Sequence, residues 1–168
     1  MTVEALARPS LIGNQEFRDA MALLAAPVTV VTTVDAVGRR RGFTASAVSS
    51  VSMDPPLLSV GLARTSSCHD DLLAAPEFVV NVLAGHQQDV ARGFARQGQD
   101  RFAQGTFAEW PGTGLPYLPD ALMTLHCRLD QVVEAGDHVL VLGAICGTRT
   151  SAPGKALVWY DRAFHTPG

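Results

Sequence analysis

The sequence lacks the short motifs that most often announce catalytic chemistry. It has no G-x-G-x-x-G dinucleotide loop, no P-loop, no G-x-S-x-G nucleophile elbow and no HExxH metal site. Its acidic residues do not cluster, so no carboxylate pair stands out for acid–base work. Cysteine is scarce: Cys68, Cys127 and Cys146 are odd in number, widely spaced and free of any CxxC pattern. That excludes a disulfide framework and argues against zinc; three reduced, mostly buried thiols in a cytoplasmic protein are expected. Excess positive charge is missing too, with a formal net charge of −3, which speaks against nucleic-acid binding. No run approaches the roughly 18 apolar residues of a membrane span, and the start lacks the charged-then-apolar order of a signal peptide. If the chain is an enzyme, a cofactor carries the difficult chemistry.

What the sequence does have is β texture. Residues 1–13 read as a flexible leader and residues 14–168 as a single domain. A helix is expected from Asn14 to Ala26, capped by Asn14, with Phe17, Met21 and Leu24 on one face and Pro27 ending it. Strands are expected over Pro27–Asp35, Gly42–Ser52, Leu57–Leu62, Glu77–Leu83, Ala121–Val133, His138–Cys146 and Ala156–Tyr160. A short helix from Ser66 or Ser67 toward Ala75 and a longer one over Gly85–Arg96 interrupt them, and the Gly- and Pro-rich stretch Gln97–Pro119 reads as a long functional loop. Strands that follow one another, with few helices between, predict a β-dominated antiparallel barrel with peripheral helices rather than a doubly wound sheet.

Three stretches carry chemistry in their residue types. Gly42–Pro56, GFTASAVSSVSMDPP, combines small residues with Thr44, Ser46, Ser49, Ser50 and Ser52. Small side chains let a planar ligand approach the backbone, and hydroxyls bond its polar rim; an ordinary surface strand has the same composition. Arg64–Asp70, RTSSCHD, follows a strand and opens a helix, where free amides, Ser66 and Ser67 suit a phosphate, or simply a helix cap. Gly136-Asp137-His138 places a carboxylate beside an imidazole, or forms a plain turn. Arg39, Arg40 and Arg41 read as a solvated hairpin tip, and Trp110, Trp159 and Tyr160 as packing anchors.

Together, FRDAMALLAAPVTVVTT, GFTASAVSSVSMDPPLLSVGL, Asp100-Arg101-Phe102 and GDHVLVLG resemble, in order, the flavin reductases of the FMN-binding split-barrel fold. These are reductase components of two-component flavin monooxygenases. The resemblance covers the chain from Phe17 to Phe164. It implies an antiparallel Greek-key barrel, usually a homodimer, that moves hydride from NADH, or NADPH, to FAD or FMN and supplies a separate monooxygenase with reduced flavin. It places Thr44, Ala45 and Ser46 against the flavin ring, Ser50, Val51 and Ser52 beside the ribityl chain, Ser66 and Ser67 near the phosphate, and Arg101 and Phe102 at the same ligand. His138, with Tyr160 and Arg162, falls on the nicotinamide side. No side chain is expected as acid or base, since hydride transfer needs stacked rings rather than a protein nucleophile. Two alternatives remain at this point: a tightly FMN-bound oxidase of the same fold, and a non-enzymatic flavin- or haem-binding module.

Overall fold

The computed structural model describes residues 10–151 and 154–168; most of the expected leader, residues 1–9, lies outside them. The chain order is helix α1 (Asn14–Ala22), strands β1 (Ala26–Pro27), β2 (Thr29–Val34), β3 (Arg40–Ala45), β4 (Val48–Met53) and β5 (Pro56–Ala63), helix α2 (His69–Ala74), strand β6 (Glu77–Val82) and helix α3 (Gln88–Ala95). A 3₁₀ turn (Arg101–Gln104) follows, then β7 (Ala108–Glu109), β8 (Pro116–Tyr117), β9 (Met123–Ala135), β10 (His138–Thr150), β11 (Val158–Tyr160) and β12 (Ala163–His165).

Seven strands form one antiparallel sheet in the order β3-β2-β6-β9-β10-β5-β4. β3 and β4 are consecutive in the chain yet stand at opposite edges of that order, so the link between them carries the chain across the opening. β3 comes near β5 there, and the Gly61 amide of β5 donates to the Ala47 carbonyl in the link at 2.7 Å. Gly61 allows this approach: a Cβ on it would lie 2.8 Å from the Ala47 methyl group. The expected strand Gly42–Ser52 is therefore two strands, broken at Ser46-Ala47.

β2 is buried over five of its six residues, because both of its faces meet apolar layers. Val31 belongs to the barrel interior with Phe43, Val60, Leu62, Phe78 and Val141. Val30 belongs to a second cluster beneath α3, with Val28, Val90, Phe94, Leu118 and Leu157. Burial of such side chains, roughly 1.5–3 kcal/mol each, supplies the driving force for closure.

Other expected elements shift for physical reasons. α1 ends at Ala22, since Ala26 precedes Pro27 and such residues favour extended backbone. Its N-cap is Gly13 rather than Asn14, and the Phe17, Met21 and Leu24 side chains are exposed. The loop after α3 holds the 3₁₀ turn and the β7–β8 pair. On β9, Thr124 and His126 share a face with Arg128 and Asp130; the first two are buried and the last two exposed. Trp110 from the loop covers this face, its ring 5.3 Å from the His126 ring. Gly147 makes room for Trp110, since a Cβ there would come within 2.9 Å of the indole.

Candidate active site

β3 ends the sheet order, so the strand-bonding groups on its outer side need other partners. Helix α3 and the 3₁₀ turn supply them. The Thr44 hydroxyl donates to Ala91 O at 2.6 Å, and Arg101 Nη1 donates to Gly42 O at 2.6 Å. Gly42 is obligatory here, because a Cβ would meet both the Phe94 ring and Val31 O at 2.8 Å. With its proton committed to Ala91, the Thr44 oxygen faces a ligand as an acceptor only.

Two clefts meet along this strand, and Thr44, Ser46 and Ala95 line both. The smaller, about 290 Å³, also takes in Ala45, Ser66, Ser67, Arg101 and His138. The larger, about 730 Å³, has an apolar floor of Val28, Trp159 and Phe164 under a rim of Arg92, Arg96 and Arg162. Three guanidinium groups over an aromatic floor suit a planar ligand that carries anionic groups.

The structure thus brings together Thr44, Ala45, Ser46, Ser66, Ser67, Arg101 and His138 of the expected site residues. It places Arg162 on the other side of the shared strand, in the larger cleft. Ser50, Val51 and Ser52 lie along β4, outside the lining of both clefts, with Ser50 and Val51 exposed. Phe102 packs with Phe94 and Phe107, at 5.0 and 4.8 Å between ring centroids. It lines a third hollow behind Arg101, with Arg40, Arg41 and Asp100. Tyr160 lies against His165 and outside both clefts.

The phosphate expectation changes in kind. α2 starts at His69 and is six residues long, and several amides at its start are already used. Ser66 N donates to Ala63 O and His69 N to Ser66 O, while Cys68 N donates to Ser66 Oγ at 3.2 Å. Hydroxyl groups therefore matter in this turn beside the amides that remain. Ser66 Oγ accepts from Cys68 N, and Ser67 Oγ accepts from Arg101 Nη2 at 3.0 Å. Each oxygen is thereby taken as an acceptor, leaving its proton to donate into the cleft.

His138 Nδ1 lies 2.8 Å from Asp137 Oδ1. The hydrogen bond from His138, and then its charge, hold the Asp137 carboxyl below its ordinary value of 3.8. Asp137 is therefore an ionised acceptor at neutral pH, which puts the shared proton on His138 Nδ1. Arg162 stands in the β11–β12 turn, where Asp161 and Arg162 have φ of +46° and +60°. Non-glycine residues strain there by about 1–2 kcal/mol. Asp161 N bonds to Ala22 O at 2.7 Å, and the Arg162 guanidinium pairs with Asp19, so α1 holds the turn in place.

Residues 21–168 match the model of the flavin reductase like domain. The chain belongs to that family. The NADH:riboflavin 5'-phosphate oxidoreductase of Streptomyces pristinaespiralis is 60% identical over 162 residues, covering 96% of this chain and 92% of the relative. Among solved structures, the Streptomyces globisporus NADH:FAD oxidoreductase in complex with NAD and FAD fragments superposes with a TM-score of 0.85 at 28% identity, over 94% of this chain and 96% of that one. The flavin reductase component of a bacterial two-component tryptophan halogenase does so with a TM-score of 0.83 at 31% identity, over 92% and 98%. Both the fold class and the family expected from the sequence are thus borne out.

Of the rim of the larger cleft, sequence reasoning named Arg162 and passed over the helix α3 side. Gln88, Arg92 and Arg96 recur every fourth residue along and just beyond α3, a spacing that puts them on one helical face and was legible. Phe164 had no local signal; it becomes visible only when β12 folds back on β11.

Proposed function

We propose that this flavin reductase family member is an NADH-dependent flavin reductase that treats flavin as a substrate and releases it reduced. The observation that carries this is the pair of clefts sharing the wall Thr44–Ser46. Two ligands that enter from opposite sides meet at that wall, as two rings exchanging a hydride must. The flavin lies on Thr44, Ala45 and Ser46, with its phosphate against Ser66 and Ser67 and with Ser50–Ser52 beyond the cleft mouth. The nicotinamide nucleotide sets its phosphates among Arg92, Arg96 and Arg162, and His138 reaches its ring from the smaller cleft. The chemistry itself is hydride transfer from the nicotinamide to the flavin ring. The protein's part is to place the rings and to bind their anionic tails.

FMN is the favoured flavin, in line with the name of the 60% identical relative, and FAD the second. The reduced flavin passes to a separate monooxygenase. The enzyme works in the cytoplasm, where its free thiols stay reduced; among the described residues no helix is long and apolar enough to cross a membrane. Its working form is a homodimer: Leu11, Ile12, Phe17, Met21 and Leu24, on α1 and to either side of it, are exposed apolar side chains, and β4 leaves Val51 and Met53 exposed. Sedimentation of the purified protein tests that, with a monomer at micromolar concentration as the contrary result.

The deciding assay mixes purified protein with NADH and added FMN, then FAD, and follows nicotinamide absorbance. Turnover that requires added flavin and saturates with both substrates supports the assignment. No turnover with either flavin, and none with NADPH, overturns it.

A further inference from the structure

Arg101 was expected to touch the flavin, but most of its hydrogen-bonding capacity is spent on the protein. A guanidinium has five N–H groups. Nε donates to Arg96 O at 2.9 Å, Nη1 to Gly42 O at 2.6 Å and to Cys68 Sγ at 3.1 Å, and Nη2 to Ser67 Oγ at 3.0 Å. One N–H, on Nη2, is left over. Cys68 is buried, lies outside the smaller cleft's lining and donates from Sγ to the same Gly42 carbonyl at 3.1 Å.

From this arrangement we infer that Cys68 and Arg101 form a clamp that sets the Ser67 hydroxyl to receive the flavin's phosphate, with Cys68 as a positioning residue acting through Arg101. The inference rests on the phosphate reading given above. The clamp joins three separate parts of the chain: edge strand β3 at Gly42, the turn before α2 at Ser67 and Cys68, and the 3₁₀ turn at Arg101. Only a forked, planar cation can hold bonds in these directions at once, so a point charge on a flexible stem does not replace it. The bond from Arg101 takes the Ser67 oxygen as acceptor and turns its proton outward. The thiol keeps the guanidinium from rotating away, because Sγ, Gly42 O and Nη1 close a small triangle of bonds.

The test compares FMN with riboflavin, which lacks the phosphate, at saturating NADH. In the wild type the KM for riboflavin exceeds that for FMN by about tenfold or more, the equivalent of about 1.4 kcal/mol. Arg101→Lys lowers that ratio by about tenfold although the charge is kept. Cys68→Ala lowers it by roughly threefold and Cys68→Ser restores it, while kcat at saturating FMN falls less than the ratio does. A general loosening of the fold would raise both KM values together, and that outcome overturns the clamp. So does a large wild-type ratio that neither Arg101→Lys nor Cys68→Ala alters. A wild-type ratio near one overturns the phosphate reading itself, and the clamp with it.

Discussion

β3 and β4 come from one stretch of similar sequence and end as the two edges of one sheet, with opposite fates. β3 is covered: α3 takes the Thr44 hydroxyl, Arg101 and Cys68 take the Gly42 carbonyl, and Phe43 and Ala45 are buried. β4 is open, with Ser49, Ser50, Val51 and Met53 exposed. The hairpins that carry them differ in the same way. Asp35, in the β2–β3 turn, accepts from the amides of Val37 and Arg39 and from the guanidinium groups of Arg39 and Arg41. Hydroxyl-rich composition therefore does not make a binding site. On β3 the Thr44 proton is held by Ala91 of another element, whereas on β4 the Ser49 hydroxyl bonds the carbonyl of adjacent Ser50.

The contrast can be broken most forcefully at Gly42. Gly42→Val drives side-chain atoms into the Phe94 ring and Val31 O. A loss of about 1–3 kcal/mol follows, seen as a thermal midpoint lower by roughly 2–10 °C together with weaker flavin use. Ser49→Ala on β4 shifts the midpoint by no more than about 0.5 kcal/mol in equivalent stability. Next in size is the effect on flavin binding. Thr44→Val keeps shape but removes the acceptor, and the flavin KM in steady-state assays rises about five- to tenfold; Ser50→Ala changes it less than twofold. Equal effects at the two positions would mean that the open edge shares the ligand.

A third experiment uses the strained turn beside the larger cleft. Arg162→Gly relieves the φ of +60°, so thermal unfolding shifts upward by a few degrees, about 1 kcal/mol. The KM for NADH rises about tenfold, the equivalent of about 1.4 kcal/mol. Smallest is the acid response of the covered hairpin. Burial pushes the Asp35 carboxyl up, but the Arg39 amide, the Arg39 guanidinium and the Val37 amide outweigh it and hold it at about 2, against an ordinary 3.8. A depressed folded value stabilises above the unfolded one and is lost as pH falls. Asp35 thus contributes fully above about pH 3.8 and loses its contribution down through about pH 2. Asp35→Asn should lower the neutral-pH midpoint and flatten its dependence on pH over that window in a series of thermal melts.

Much of this was legible beforehand. β-branched runs marked β2 and β6, alternation marked β9, and Gly136-Asp137 marked the turn before β10. The break at Ser46-Ala47 was not, because no Gly or Pro marks it and the Gly61 amide that bonds Ala47 O comes from a distant strand. The alternation of β9 put His126 on one face but said nothing of what covers it, because the Trp110 loop above it was invisible. In the site, residue types pointed to Thr44, Ser46, Ser66 and Ser67. What each hydroxyl can still offer a ligand depends on partners from elsewhere in the chain, such as Ala91 and Arg101, and those are properties of the closed barrel.

The wall shared by the two clefts has a kinetic consequence. Thr44, Ser46 and Ala95 belong to both cavities, so on the proposed reading the two substrates share part of their surface. A bulkier residue at Ala95 would be felt by both substrates at once, and the occupancy of one cavity would alter the apparent affinity of the other. Initial-rate patterns with both substrates varied should then intersect rather than run parallel. Single substitutions along the wall should move the two Michaelis constants in a correlated way, a linkage that separate binding pockets would not produce.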